Sequence, residues 1–135
     1  MSRSVACIAY SEGRLLVARR KDGGDMGGRW EFPGGKLESG DDDRAAVARE
    51  MQEEFGVAAE PVEQIASCTF EHDGRTCAVT AYFVRLAHDG TAVPYVLAEH
   101  TEYKWIPPQD VASLHFVDSD LKLYPAVLSY LEHIK

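Results

Sequence analysis

The chain has 135 residues, of which 45% are hydrophobic and 27% charged, and its formal net charge is −8. This length and composition predict one domain, spanning residues 1–135, with a core large enough to fold without disulfides or structural metal. The negative charge argues against a nucleic-acid polymer or a membrane surface as partner, because both usually require a basic face. An anionic substrate remains open, since carboxylates that hold a divalent cation reverse the local field.

Cysteine usage and the apolar runs predict a cytoplasmic protein. Cys7, Cys68 and Cys77 are odd in number and form no CxxC pair, so neither a disulfide framework nor a zinc site is expected. No run approaches the ~18 apolar residues of a membrane span, and the first residues are too polar for a signal peptide.

The first elements in chain order are two strands and a loop. Residues 4–10 and 14–20 are apolar runs separated by Ser11-Glu12-Gly13, a pattern that predicts a strand, a tight turn and a second strand. Residues 21–30 hold four of the eleven glycines and predict an irregular surface loop.

A helix follows this loop. Asp42 is expected as its N-cap, the acidic residues 41–43 suit the positive end of the helix dipole, and Gly56 marks its end.

The second half of the chain predicts a hairpin, a short strand and a closing helix. Residues 62–71 and 75–87 are β-rich segments joined by the turn signal His72-Asp73-Gly74. Residues 102–107 predict a strand, and Pro108 is expected to open a helical turn that runs through Val111.

The closing helix is predicted from about Ser119 to His133, with Pro125 marking its start or a kink. Its apolar stripe consists of Leu123, Val127, Leu131 and Ile134. Strands mixed with two helices indicate an α/β fold with helices packed on a sheet.

The first helix carries an acidic cluster that needs an explanation. At 100° per residue, Glu50, Glu53 and Glu54 share about a third of the circumference, while Val47, Met51 and Phe55 form a separate apolar stripe. Like charges at these spacings repel, so the cluster is either a solvated face or a site for a cation. Oxygen ligands suit Mg²⁺, or Mn²⁺, better than zinc.

The spacing around this cluster resembles the Nudix box, G-x5-E-x7-R-E-U-x-E-E-x-G-U. Gly35 is followed after five residues by Asp41 and after seven more by the run that begins Arg49-Glu50 and ends Gly56-Val57. The runs LLVARR, WEFPGGKLE and KWI are similar to the MutT-like branch. One position departs from the box, because Asp41 stands where the family has glutamate; we expect altered geometry or rate rather than lost activity.

The resemblance implies a Nudix-type α/β/α sandwich with a central mixed β-sheet and two main helices. It implies hydrolysis of a nucleoside diphosphate linked to another group, with Mg²⁺ (Mn²⁺ as the alternative) and an activated water. The metal ligands it implies are Gly35, Glu50, Glu53, Glu54 and Glu99, and the catalytic residues are Glu53, Glu54, Glu50, Arg49 and Glu99. Arg20 is implied to contact substrate phosphates, and Phe32 and Asp120 to contact the base.

Several of these roles have alternatives in the sequence. Glu102 competes with Glu99, and both could be solvated loop acids. Asp118 competes with Asp120, and either aspartate could instead be the N-cap of the last helix. Tyr82 and Phe83 are expected in the core, and Glu38 is expected either to support the site or to have no role in it.

The absence of certain family motifs reduces the number of possible substrate classes. The chain lacks the patterns that mark NADH pyrophosphatases, ADP-ribose hydrolases, diadenosine-polyphosphate hydrolases and coenzyme A hydrolases in the family. A (deoxy)nucleoside triphosphate pyrophosphohydrolase remains, acting as a monomer or homodimer on oxidised purine nucleotides such as 8-oxo-dGTP. The alternatives are CTP, dCTP or a modified pyrimidine nucleotide, and, in another class, a non-catalytic nucleotide sensor.

Overall fold

A computed structural model describes residues 2–24, 26–38, 40–88, 95–98 and 100–134. Within these ranges lie seven strands, two α-helices and one 3-10 segment. They are β1 (Ser2–Ser11), β2 (Arg14–Arg20), β3 (Trp30–Glu31), β4 (Gly34–Lys36), α1 (Asp43–Phe55), β5 (Ala59–His72), β6 (Arg75–Leu86), β7 (His100–Ile106), the 3-10 segment Pro108–Ser113 and α2 (Asp118–His133).

The strands form one mixed sheet in the order β3-β2-β1-β6-β5, with β4 also paired to β1 and β7 to β2. β1 and β6 run parallel, whereas the other pairs are antiparallel. β1 is central because residues 5–9 form a continuous buried run, the pattern of a strand covered on both faces. The mixed sheet expected from the sequence is confirmed.

Helices cover both faces of the sheet, which confirms the α/β/α sandwich. Successive side chains of a strand point to opposite faces, so neighbouring residues of β1 and β2 enter different cores. One core combines Cys7 and Leu16 with α1, and contains Ala46, Val47, Met51 and Phe55. The other combines Ile8, Leu15 and Val17 with α2, and contains Leu123, Val127 and Leu131.

Both predicted hairpin turns are present. Glu12 and Gly13 have φ of 52° and 77°, and Asp73 and Gly74 have φ of 51° and 73°. Two consecutive positive φ angles match the twist of antiparallel strands. The turns therefore explain why β1–β2 and β5–β6 pair directly.

The ends of α1 lie where the sequence predicts. The Asp42 carboxylate accepts a hydrogen bond from the Ala45 N–H at 2.8 Å, which satisfies one of the helix's free amides. Gly56 adopts a left-handed conformation, and its N–H donates to the Gln52 carbonyl.

The helix α2 begins at Asp118, within one residue of the predicted start, but its N-cap differs from expectation. Val117 is the N-cap and makes no side-chain capping bond, while Asp118 and Asp120 lie in the first turn. The N-cap interpretation of these aspartates is therefore wrong. Asp120 instead turns inward to the Phe32 N–H.

The predicted apolar stripe of α2 is wrong at Ile134, which follows the helix and is 42% exposed. Pro125 lies inside the helix. Proline removes the bond to the carbonyl four residues earlier, here that of Leu121, a residue on the exposed side of the helix. Tyr82 is buried and Phe83 is packed against a core, as expected.

None of the described helices is long and apolar enough to cross a membrane. Cys7, Cys68 and Cys77 are all free thiols, as their spacing predicts.

Candidate active site

A cleft of about 560 Å³ is lined by residues of β1, β3 and β4, of the C-terminal half of α1 and of the first turn of α2. The sequence-predicted residues that line it are Arg20, Phe32, Gly35, Glu50, Glu54 and Asp120. Residues from both halves of the chain, which the sequence singled out for different reasons, therefore meet in one concave site. A second cavity of about 330 Å³, beside Tyr10 and Trp105, contains none of them.

Glycine at position 35 allows Glu50 to sit against the backbone of β4. Gly35 pairs with Val5 of β1, which fixes its place in the sheet. A Cβ added to Gly35 would lie 2.5 Å from Glu50 Cδ and 2.6 Å from both carboxylate oxygens. Any other residue would displace this carboxylate, so the glycine and the glutamate form a single cradle.

Arg49 ties the loop before α1 to the helix. Its guanidinium contacts Asp41 Oδ2 at 2.8 Å, the Lys36 carbonyl at 3.0 Å, Glu50 Oε1 at 3.2 Å and Glu38 Oε1 at 3.3 Å. Asp41 therefore reaches the arginine although its side chain is shorter than glutamate. Asp41 also accepts the Glu38 N–H at 3.0 Å, which makes it part of the turn that leads into the helix.

The three glutamates of α1 do not share one environment. Glu54 is 6% exposed and the Glu50 side chain 13%, and both line the cleft. The Glu53 side chain is 59% exposed and lies 3.9 Å from Arg49 Nε, outside the lining of the cleft. Within the described ranges, no three acidic, histidine or cysteine side chains converge into a ready metal site.

Burial raises the pKa of Glu50 above its ordinary value. Arg49 opposes this rise, the carboxylates of Glu53 and Glu38 add to it, and a hydrogen bond with Glu54 lowers it. Holding an ionised carboxylate here therefore costs free energy. A cation bound between Glu50 and Glu54 would offset that cost, and their oxygen donors suit a hard divalent ion.

Glu99, predicted as a further ligand, lies outside the described residues. Its competitor Glu102 lies on β7, paired with Arg19 in the sheet and 3.5 Å from its guanidinium. Glu102 does not line the cleft.

Phe32 and Asp120 form another part of the lining of the cleft. The Phe32 N–H donates to Asp120 Oδ2 at 2.9 Å, and the Phe32 ring packs edge-on against Phe116 with centroids 5.1 Å apart. Burial raises the pKa of Asp120 from 3.8 to about 7; the hydrogen bond from Phe32 lowers it, Glu31 raises it and Arg20 lowers it. Asp118 instead lies in the open, 74% exposed, and pairs with Arg29.

Two residues that the sequence analysis missed complete this site. Glu31 Oε1 lies 3.1 Å from Arg20 Nη1, and Glu31 Oε2 lies 2.8 Å from His100 Nε2. Glu31 lies within the WEFPGGKLE run, but nothing in that run indicates its contacts, which depend on the pairing of β3 and β7 with β2. His100 gave no signal, since its contact spans 69 positions in the chain.

The NUDIX domain family matches residues 1–127. The chain belongs to this family. It is also 33% identical over 129 residues to the CTP pyrophosphohydrolase of Escherichia coli strain K12, a match that covers 96% of this chain and 93% of that protein. Another relative, the 8-oxo-dGTP diphosphatase of Haemophilus influenzae, is 26% identical over 117 residues. This match covers 87% of this chain and 83% of that protein.

Solved structures agree with the Nudix assignment. The solution structure of the E. coli ORF135 protein aligns with a TM-score of 0.84 at 31% identity, covering 96% of this chain and 89% of that one. With named pyrophosphohydrolases among its relatives, the chain is a Nudix pyrophosphohydrolase. Nudix hydrolases generally act with divalent metal ions, and the carboxylates of Glu50 and Glu54, which line the cleft, supply oxygen donors of the kind that such an ion takes.

Proposed function

We propose that this Nudix domain hydrolyses (deoxy)nucleoside triphosphates to the monophosphate and pyrophosphate, using Mg²⁺, with Mn²⁺ as the alternative cofactor. The observation that carries the proposal is the shared cleft. Acidic residues suited to a cation, Glu50 and Glu54, line the same cavity as a base-sized aromatic and polar pair, Phe32 and Asp120. A nucleotide spans both kinds of surface.

The acidic side of the cleft would hold the metal. The proposed ligands are Gly35, Glu50, Glu53, Glu54 and Glu99. When bound there, such a cation would neutralise charge on the phosphoryl oxygens and lower the pKa of the attacking water. One of the glutamates would accept a proton from that water, and Arg49 holds Glu50 and the preceding loop in place.

The phosphates need cationic partners away from the metal. Arg20, Lys21 and Lys36 line the cleft, and Arg20 presents a guanidinium that suits bidentate contact with phosphate oxygens. We propose that Arg20 binds the phosphates of the substrate.

Phe32 and Asp120 would recognise the base, and the proposed substrate is an oxidised purine nucleotide such as 8-oxo-dGTP. An ionised Asp120 accepts a hydrogen bond from an exocyclic amine, and a protonated one also donates. Because the pKa of Asp120 is about 7, both forms are populated near neutral pH. CTP or dCTP is the second candidate, favoured by the E. coli CTP pyrophosphohydrolase, which matches 96% of this chain.

The proposal extends to the molecule's setting. Its net charge of −8 disfavours a nucleic-acid polymer as substrate, so we propose free nucleotides as the substrates. We also propose that residues 1–135 act as one domain, as a monomer or homodimer in the cytoplasm.

The test is pyrophosphate release in the presence of Mg²⁺ from 8-oxo-dGTP, dGTP, CTP, dCTP and 5-methyl-dCTP. Glu53→Gln should lose turnover, whereas Glu132→Gln, at an exposed position of α2, should retain it. The preferred base decides between the two candidate substrates. Nucleotide binding without release of pyrophosphate from any of the five would overturn the proposal in favour of a non-catalytic sensor.

A further inference from the structure

His100 is buried in the wall of the cleft although histidine is a polar residue. Its side chain is 1% exposed, and its ring stacks on Phe55 of α1 with centroids 5.5 Å apart and an interplanar angle of 22°. Its Nδ1 is buried without a hydrogen-bond partner among the residues that the structure describes. The other ring nitrogen, Nε2, lies 2.8 Å from Glu31 Oε2. Because buried polar atoms usually have a hydrogen-bond partner, this contact explains why a polar residue occupies the position.

An irregularity in the sheet directs His100 into the cleft. β7 pairs with β2 so that Glu102 opposes Arg19 and His100 opposes Arg20, with a register shift between them. Residues two apart on a regular strand point to the same face, yet these two point to opposite faces because their partners are consecutive. Bulges of this kind re-aim side chains near functional sites.

Glu31 divides its carboxylate between His100 and Arg20. One oxygen lies 2.8 Å from His100 Nε2 and the other 3.1 Å from Arg20 Nη1. Glu31 lies on β3, where it opposes Ala18 of β2. Its partner Arg20 lies on β2, and its partner His100 lies on β7, which also pairs with β2. A carboxylate in a phosphate-binding cleft repels the substrate unless a cation and hydrogen-bond donors offset its charge, as Arg20 and His100 do for Glu31. Arg20 can bind phosphate only if its guanidinium also faces the cleft.

We propose that His100 is a positioning residue for phosphate binding: its Nε2–H holds the Glu31 carboxylate, which in turn orients the Arg20 guanidinium toward the cleft. This inference rests on the proposed function, because it assumes that Arg20 contacts the substrate phosphates. His100 acts only through Glu31 and Arg20 and does not touch the substrate.

Two variants separate the hydrogen bond from the ring. His100→Phe keeps the volume and the contact with Phe55 but removes the donor. His100→Gln loses the ring but carries an amide N–H near the position of Nε2. We expect His100→Phe to raise KM, and the Kd of a non-hydrolysable α,β-imido deoxynucleoside triphosphate, about tenfold. Its kcat should stay within about twofold, and His100→Gln should recover most of the affinity.

Arg20→Gln provides the decisive background. If His100 acts through Arg20, His100→Phe adds almost nothing to the Kd of Arg20→Gln, so the double-mutant cycle shows strong coupling. An undiminished effect of His100→Phe in that background, or a loss confined to kcat and thermal stability, would overturn the inference and leave His100 a packing residue.

Failure of the inference is distinguishable from failure of the proposed function. If Arg20→Gln weakens binding and His100→Phe does not, the positioning role alone is wrong. If the wild-type protein hydrolyses no triphosphate, the proposed function is wrong, and the Kd of the imido analogue still tests the positioning role. If Arg20→Gln leaves that Kd unchanged, Arg20 does not contact the phosphates and the positioning role is wrong as well.

Discussion

Single residues in this cleft carry constraints that their types alone do not reveal. Gly35 has an ordinary strand role in its pairing with Val5, yet its missing side chain makes the space that Glu50 fills. Asp120 is an aspartate in an apolar wall, kept there by the Phe32 N–H. In both cases the backbone decides where a carboxylate lies, through the absence of a Cβ at Gly35 and through the N–H of Phe32.

Gly35→Ala tests the cradle. The new Cβ would fall 2.5 Å from Glu50 Cδ, so the carboxylate must move by about 1 Å or more, and a misplacement of that size can cost about 100-fold in rate. We expect kcat/KM for the preferred triphosphate to fall by about that factor while the far-ultraviolet circular dichroism is unchanged. Full activity in this variant would show that the position of Glu50 is not important for turnover.

Asp120→Asn tests the buried acid through pH. The pKa of Asp120 is about 7 in the folded protein and about 3.9 in an unfolded chain. Between these values the folded state binds the extra proton, so the stability that the neutral carboxyl contributes is lost as pH rises toward 7 and above. Asparagine keeps an acceptor for Phe32 and does not ionise.

Relative to wild type, Asp120→Asn should therefore gain about 3 kcal/mol in free energy of unfolding between pH 5 and pH 8. Urea denaturation of both proteins at the two pH values measures this difference. A stability difference that does not change with pH would mean that Asp120 titrates as an exposed aspartate does.

At the scale of elements, two adjacent aspartates in the loop before α1 have different roles. Asp42 caps the helix, whereas Asp41 binds Arg49. Asp42→Ala should lower the free energy of unfolding by about 1 kcal/mol with little change in kcat/KM. Asp41→Ala should instead lower kcat/KM by about tenfold or more, because Arg49 loses its 2.8 Å partner. Denaturation and steady-state kinetics on the pair check both expectations, and equal effects on activity would contradict them.

Local patterns predicted the elements well, because caps, turns and apolar periodicity act over a few residues. Examples are the caps of α1, Asp42 and Gly56, and the two hairpin turns at Glu12-Gly13 and Asp73-Gly74. The N-cap of α2 was not predictable in this way, because Asp120 makes its hydrogen bond to Phe32, 88 positions away in the chain, and not to the first turn of its own helix.

At the scale of the molecule, the resemblance to the Nudix box predicted the fold and the acidic side of the site. It did not predict the contacts of Glu31 with His100 and Arg20. Glu31 and His100 meet because β3 and β7 both pair with β2, and strand pairing between distant segments has no local signature. Likewise, the helix period grouped Glu53 with Glu50 and Glu54, but it could not show that Glu53 would lie outside the lining of the cleft.

The most direct measurement of the central claim is Mn²⁺ binding, by calorimetry or electron paramagnetic resonance, set beside triphosphate turnover in the same samples. We predict that wild type and Glu132→Gln bind the ion and release pyrophosphate, while Glu50→Gln and Glu54→Gln lose both together. Undiminished Mn²⁺ binding and turnover in Glu50→Gln and Glu54→Gln would contradict the assignment of the α1 carboxylates as the catalytic metal site.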